Sequence, residues 1–236
     1  MAFNPCLLVM QPREIQDCLD SIKECFDIPT VYFRAFSEPM VCREMSKYIR
    51  ENDYTHYIIV GDDHITTKPA AQCVLDHTED SRYEVFTGWM NMHLEGSADY
   101  LSKESTVSYG PLVPIRDSEG PNREEYGKWE PMQIIRGLPA QPFRTAYANF
   151  ALTGATKELW ERFPLSTHTR GNSSDHQLSY RLQTAGVKVW SHPSAFIKHL
   201  RRGWRPLLDK WLVWNVPSEI IETNRSWGKR EDYART

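Results

Sequence analysis

Asp62, Asp63 and His64 stand directly after the apolar run Tyr57-Ile58-Ile59-Val60, with only Gly61 between. Two carboxylates and an imidazole in succession are donor types that hold a divalent cation and, through it, a diphosphate. The run before them is short, β-branched and without alternation. That is the pattern of a strand covered on both faces inside an α/β sheet, and such sheets bind ligands at the carboxyl ends of their strands. The competing use of paired aspartates is an Asx turn or a helix cap. Here Thr66 or Thr67 is placed to cap the next helix and Pro69 suits its first turn, so neither aspartate is needed for that job.

Two distant residues add to the set. Asp175 falls in the first turn of a helix that opens with the capping box Ser174 to Gln177 and stops at Gly186. The positive end of a helix keeps a carboxylate ionised and ready to accept a proton. By itself Asp175 reads as a complement to the helix dipole. His199 follows a late strand, and by itself reads as a structural histidine.

The elements that must position these residues follow an alternating order. Cys6–Met10 reads as a strand, residues 14–26 as a helix, residues 30–36 as a strand and residues 39–51 as a helix, before the Tyr57–Val60 strand. Strand and helix in alternation predict a parallel sheet with right-handed crossovers. A helix over residues 68–76 and a strand over residues 83–90 continue it. From residue 94 to 143 prolines and glycines interrupt any period, and the segment reads as a long binding loop or insertion. Regularity returns with a strand over 147–152, a helix over 156–163, the helix from Ser174, and a strand over 187–190. In the last segment Trp204, Leu207, Leu208, Trp211, Leu212 and Trp214 have near-helical spacing, which predicts a helix docked by its apolar face.

With 236 residues, 40% of them hydrophobic, the chain is long enough to bury a substantial core. A formal net charge of −3 does not mark a nucleic-acid or anionic-membrane protein. Any such contact is local, and residues 198–211 offer one: Lys198, Arg201, Arg202, Arg205 and Lys210 against Asp209, a possible basic contact surface or equally a solvated helix face. The five cysteines, at positions 6, 18, 25, 42 and 73, form no CxxC pair, which argues against a disulfide framework or structural zinc site. The expectation is a soluble, unprocessed, cytoplasmic protein, because the chain lacks both a signal-peptide core and a run of about 18 apolar residues.

Taken in order, the Asp62-Asp63-His64 strand end, the carboxylate at a helix start and the late histidine resemble the GT-A glycosyltransferases. The likeness is to the large family-2-like group and to members with D-x-H in place of D-x-D. It spans roughly residues 5 to 200. The run from Asn149 to Trp160, N-F-A-L-T-G-A-T-K-E-L-W, resembles the small-residue turn and helix that face sugar and acceptor. The run from Ser174 to Gly186, S-D-H-Q-L-S-Y-R-L-Q-T-A-G, resembles the family's E-D-x-x-L-x-x-R-L-x-x-x-G.

The resemblance implies an α/β fold of GT-A type, a Rossmann-like nucleotide-binding sheet of mostly parallel strands with flanking helices, plus a C-terminal helical and aromatic tail. It divides the chain into a GT-A domain over 1–200 and a C-terminal extension over 201–236. Within the domain, 1–93 is the nucleotide-sugar half, 94–143 a loop insertion and 144–200 the acceptor half. It implies Asp62, Asp63, His64 and His199 as metal ligands, and Asp62, Asp63, Gln11, Trp89 and Gly154 as contacts to the nucleotide sugar. Asp175 becomes the general base of an inverting transfer. A carboxylate and imidazole shell favours Mn²⁺ over Mg²⁺.

The chain departs from the family at Met10-Gln11-Pro12, where relatives carry a P-x-Y/N turn, and at Phe36-Ser37-Glu38, which lacks the base-reading aspartate. A UDP-sugar is favoured only as the group's commonest donor. The acceptor is unidentified: a glycan, a lipid-linked sugar, a protein side chain or a modified nucleic-acid base. A sugar nucleotidyltransferase, or a non-catalytic nucleotide- or carbohydrate-binding protein, is the alternative on the same fold.

Overall fold

In a computed structural model of the chain, residues 2–10, 15–34, 38–93, 107–110, 141–145, 147–166, 174–202 and 211–213 are described. The first half is built as its alternation predicts: β1 (Pro5–Met10), α1 (Gln16–Cys25), β2 (Thr30–Phe33), α2 (Glu38–Glu51) and β3 (His56–Gly61). Both β2 and β3 pair parallel with β1. Tyr57, Ile58, Ile59 and Val60 have no exposed surface. Successive residues of a strand point to opposite faces, and here they enter two cores. Ile58 and Val60 pack with Ile22 of α1, and Tyr57 and Ile59 with Val41, Met45 and Ile49 of α2.

After a two-residue strand β4 (His64–Ile65), α3 (Lys68–Glu79) is capped by Thr67, whose hydroxyl accepts from the Ala70 N–H at 3.4 Å, with Pro69 in its first turn. Then come β5 (Val85–Thr87), β6 (Trp89–His93), β7 (Val107–Gly110), β8 (Phe143–Thr145), β9 (Ala151–Thr156), α4 (Lys157–Arg162), α5 (Ser174–Thr184), β10 (Val189–Ser191), β11 (Phe196–Arg202) and β12 (Trp211–Val213). The main sheet has seven strands in the order β2-β1-β3-β9-β5-β10-β8, mostly parallel, with β9 antiparallel to both neighbours. This is the expected α/β architecture. A second sheet runs β12-β11-β6-β7, with β4 also paired to β11.

Three expectations need correction. The strand foreseen over 83–90 is two strands, because the chain leaves the main sheet at Gly88 and enters the second at Trp89. The Gly88 N–H donates to the Leu152 carbonyl, and the Trp89 N–H to the Ala195 carbonyl. A Cβ on Gly88 would sit 2.1 Å from the Ala151 carbonyl oxygen, so only a bare backbone fits this joint. Within the foreseen 94–143 loop, Val107–Gly110 is a strand paired antiparallel with β6. Instead of continuing a helix, Trp211–Val213 pairs antiparallel with Leu200–Arg202; a tryptophan, a leucine and a valine in succession suit a strand as well as a helix face. The remainder of the foreseen C-terminal helix lies outside the described residues.

None of the five cysteines is in a disulfide. Burial pushes the Cys25 thiol up to about 11 and that of Cys73 to about 12, which keeps both protonated and unreactive near neutrality. No helix among the described residues is long and apolar enough to cross a membrane.

Gly88→Ala should destabilise the fold by about 1–3 kcal/mol, the usual cost of overpacking, since its methyl meets backbone that cannot rotate away. Urea unfolding would register this as a lowered midpoint at an unchanged m-value.

Candidate functional site

The site begins where β3 stops. Asp62 is fully buried, His64 is 5% exposed, and Asp63 lies between them partly exposed. An ionised carboxylate at the depth of Asp62 requires compensating donors or a cation. His64 Nδ1 lies 3.0 Å from Asp63 Oδ1. The imidazole folds back over Gly61, where a Cβ would stand 2.8 Å from that same nitrogen.

The segment after His64 is pinned from below by α1. The Thr66 N–H donates to Ser21 Oγ at 3.1 Å, the Cys25 thiol donates to the Thr66 carbonyl at 3.4 Å, and Ile65 packs on Ile15 and Cys18. Held there, β4 forms an antiparallel ladder with β11 in which His64 is the register partner of His199 and Ile65 that of Lys198. The backbones of two histidines 135 positions apart in sequence are thus register partners in one ladder. The His199 side chain lies outside the described residues. Among the described residues, no group of three or more His, Cys, Asp and Glu is placed to hold a metal; the candidate donors in view are the Asp62 carboxylate, the Asp63 carboxylate and the His64 imidazole.

The neighbouring part of the same sheet edge is shaped by a bulge that the sequence did not announce. Ile59 pairs with Thr153 and Val60 with Ala151, leaving Leu152 as the extra residue, buried and at φ 64°. A leucine in the left-handed region costs about 1–2 kcal/mol, and a buried polar network holds it there. Asn149 Oδ1 accepts from the Ala151 N–H at 2.6 Å, Asn149 Nδ2 donates to the Gly88 carbonyl at 3.2 Å, and the Thr87 and Thr153 hydroxyls meet at 2.8 Å. The Gly61 N–H reaches across to the Phe150 carbonyl at 2.8 Å, so the bulge and the start of the acidic turn are directly bonded. Asn149 was not singled out as a site residue, although it opens the 149–160 run that carries the resemblance.

Asp175, half-buried in the first turn of α5, is linked to this edge through Ser179. Ser179 Oγ accepts from the Ala148 N–H at 2.9 Å and lies 3.1 Å from the Ala148 carbonyl and 2.7 Å from that of Asp175. One turn of helix therefore connects Asp175 to the residue preceding Asn149. The pairing is set by the i, i+4 spacing of Asp175 and Ser179.

Two of the foreseen contact residues, Trp89 and Gly154, lie inside the fold. Trp89 has no exposed surface, its indole N–H donates to the carbonyls of His192 and Pro193 at 3.2 Å each, and its ring meets Phe196 edge-on at 4.8 Å. It packs as a core residue. Gly154 lies inside β9 opposite Ile58 and Phe86, and a Cβ there would stand 2.1 Å from Thr78 Oγ1 of α3. Its missing side chain permits helix–sheet contact. Gln11 lies outside the described residues, as does most of the basic stretch 198–211.

No family model and no curated protein matches the chain. Among solved structures, A197 from STIV is similar at 14% identity and a TM-score of 0.49, over 91% of this chain and 95% of that one. GalNAc-T7, solved with UDP, GalNAc and Mn²⁺, is similar at 12% identity and the same TM-score. That match covers 98% of this chain but 49% of the GalNAc-T7 chain, so the present chain spans about half its length.

Ser179→Ala should leave the buried Ala148 N–H without its acceptor and cost about 1–3 kcal/mol. Amide hydrogen exchange should show the loss as faster exchange at Ala148 and in the first turn of α5, with β1 and β3 unaffected.

Proposed function

We propose that this protein is a metal-dependent glycosyltransferase that moves a sugar from a nucleotide-sugar donor, a UDP-sugar foremost, to an acceptor with inversion at the anomeric carbon. The observation that carries this is the ladder between β4 and β11, which sets the backbone of His199 opposite His64 at the strand end where Asp62 is buried. The GT-A resemblance requires that meeting of a D-x-H motif with a late histidine. Nothing in the local sequence of either segment dictates it.

Asp62, Asp63, His64 and His199 would hold the divalent cation. When bound, that cation neutralises the charge on the departing nucleoside diphosphate. The chain's own residues do the rest. Burial of Asp62 and His64 fixes the donors before substrate arrives, so little reorganisation is needed at the moment of reaction. Asp175, tied by Ser179 to the strand edge, takes the acceptor hydroxyl proton as its oxygen attacks the anomeric carbon from the face opposite the leaving group. The sugar–phosphate bond breaks as the new glycosidic bond forms, and the configuration inverts.

Calorimetry should find UDP binding in the presence of Mn²⁺ and its collapse in chelator. Asp62→Ala and His64→Ala should abolish the metal-dependent part, and His199→Ala should weaken it less. Equal UDP affinity with and without metal would contradict the assignment.

Asp175→Asn should keep UDP affinity but lower donor turnover by about 10²–10⁴-fold, the contribution of a positioned general base. The amide preserves shape at the helix start and cannot take the proton, so a normal rate in that variant would return Asp175 to a helix-terminal charge.

A further inference from the structure

We propose that Asn149 is a positioning residue for the acidic turn: its carboxamide holds Leu152 out of the β3–β9 ladder, which brings the Phe150 carbonyl to the Gly61 N–H and so fixes the backbone from which Asp62 departs. The proposal deepens the function above, on which its consequence for donor binding rests, and adds to that site a residue that acts only through its neighbours.

Asn149 has no exposed surface, and its backbone and side-chain polar groups are all bonded. Oδ1 accepts from the Ala151 N–H at 2.6 Å, and Nδ2 donates to the Gly88 carbonyl at 3.2 Å. The Asn149 N–H donates to Thr87 Oγ1 at 3.3 Å, and its carbonyl accepts from the Thr153 hydroxyl. This niche calls for an amide. A backbone N–H stands on one side and a carbonyl on the other, and a carboxamide answers both, whereas a carboxylate only accepts. The bond from Oδ1 to the N–H two residues on is that of an Asx turn, which curls the chain immediately before the bulge.

That turn decides which residue meets Gly61. Ile59 pairs with Thr153 and Val60 with Ala151, so Leu152 is skipped. In an unbroken antiparallel ladder Val60 would oppose Leu152 and Gly61 would oppose Ala151. Instead the Gly61 N–H donates to the Phe150 carbonyl at 2.8 Å. Leu152 stands at φ 64°, a conformation that leucine disfavours and that persists only where its surroundings enforce it. With the Ala151 N–H tied back to Asn149, the strand cannot return Leu152 to extended backbone and slip by one residue. Asp62 follows Gly61 directly and is fully buried, so close packing leaves it little room to absorb a shift in the backbone behind it. On the other side, the Ala148 N–H is held by Ser179 of α5, the helix that carries Asp175. Asn149 therefore stands between the two carboxylates to which the proposed function gives donor and acceptor.

Scalar couplings across hydrogen bonds, measured by long-range HNCO on the isotope-labelled full chain without ligand, read these contacts directly. Wild type should show the Gly61 nitrogen coupled to the Phe150 carbonyl carbon and the Ala151 nitrogen coupled to the Asn149 carboxamide carbon. Asn149→Ala should lose both while the couplings between β1 and β3 persist. Asn149→Ser should recover the Gly61–Phe150 coupling, because a serine hydroxyl makes the same local turn more weakly. In calorimetry with UDP and Mn²⁺, Asn149→Ala should bind about 10-fold more weakly than wild type, the equivalent of one hydrogen bond, and Asn149→Ser should lie between the two. A Gly61–Phe150 coupling that is absent from wild type, or that survives in Asn149→Ala, overturns the proposal. So does an unchanged UDP affinity in Asn149→Ala once that coupling is gone. If Asn149→Ala does not fold, hydrogen exchange of the wild type decides: Gly61 and Ala151 should open as one unit with equal protection, and a Gly61 that opens independently overturns the role. Wild type whose couplings respond to Asn149→Ala as expected but which binds no UDP supports the positioning role and sinks the metal-dependent function instead.

Discussion

The antiparallel contact between His64–Ile65 and Lys198–His199 is the constraint on which the candidate site depends. It is only two residues long, too short to be stable alone, so its geometry is imposed by what lies on either side. On one side α1 bonds to Thr66 through Ser21 and Cys25. On the other, β11 is carried by its parallel pairing with β6, Phe196 to Trp89 and Ile197 to Met90. Trp89 anchors that pairing through its indole, gripped by two carbonyls and packed on Phe196. A tryptophan of the core thus helps decide where the backbone of His199 lies.

The same economy appears in β9. An antiparallel strand inserted between β3 and β5 brings its amino-terminal end to the edge where the parallel strands finish, which puts Asn149 and Phe150 beside Gly61 and Gly88. Fitting it there requires a bulge, and the bulged residue is a buried leucine with positive φ. Backbone strain of this kind persists only where the surroundings over-determine it, and it concentrates at functional edges. Here the Asn149 carboxamide and the Thr87 and Thr153 hydroxyls supply the over-determination, and Gly88 leaves room for the displaced carbonyl.

Much of the first half was legible from the chain. Tyr57–Val60 could be read as doubly covered because its lack of alternation has one economical explanation, and the Thr67 cap with Pro69 behind it released the aspartates for other work. The bulge was not legible: Leu152 carries no mark of positive φ, and the conspicuous glycine nearby, Gly154, serves Thr78. The burial of Trp89 was not legible either, since the carbonyls that grip its indole lie more than a hundred residues on, at His192 and Pro193. Leu212 and its neighbours fit a helical stripe by spacing and a strand by residue type, and a long-range pairing with β11 decides it. Pairings between segments more than a hundred residues apart leave no local trace, which is why the register of His199 with His64 cannot be read from either segment alone.

The central claim is that His64 and His199 serve one cation. Electron–nuclear double resonance of Mn²⁺ bound to the ¹⁵N-histidine-labelled protein measures it most directly. The account predicts ¹⁵N couplings from two directly bound imidazoles, one lost in His64→Ala and the other in His199→Ala. Mn²⁺ that binds with no nitrogen coupling, or with a coupling indifferent to both substitutions, would contradict it.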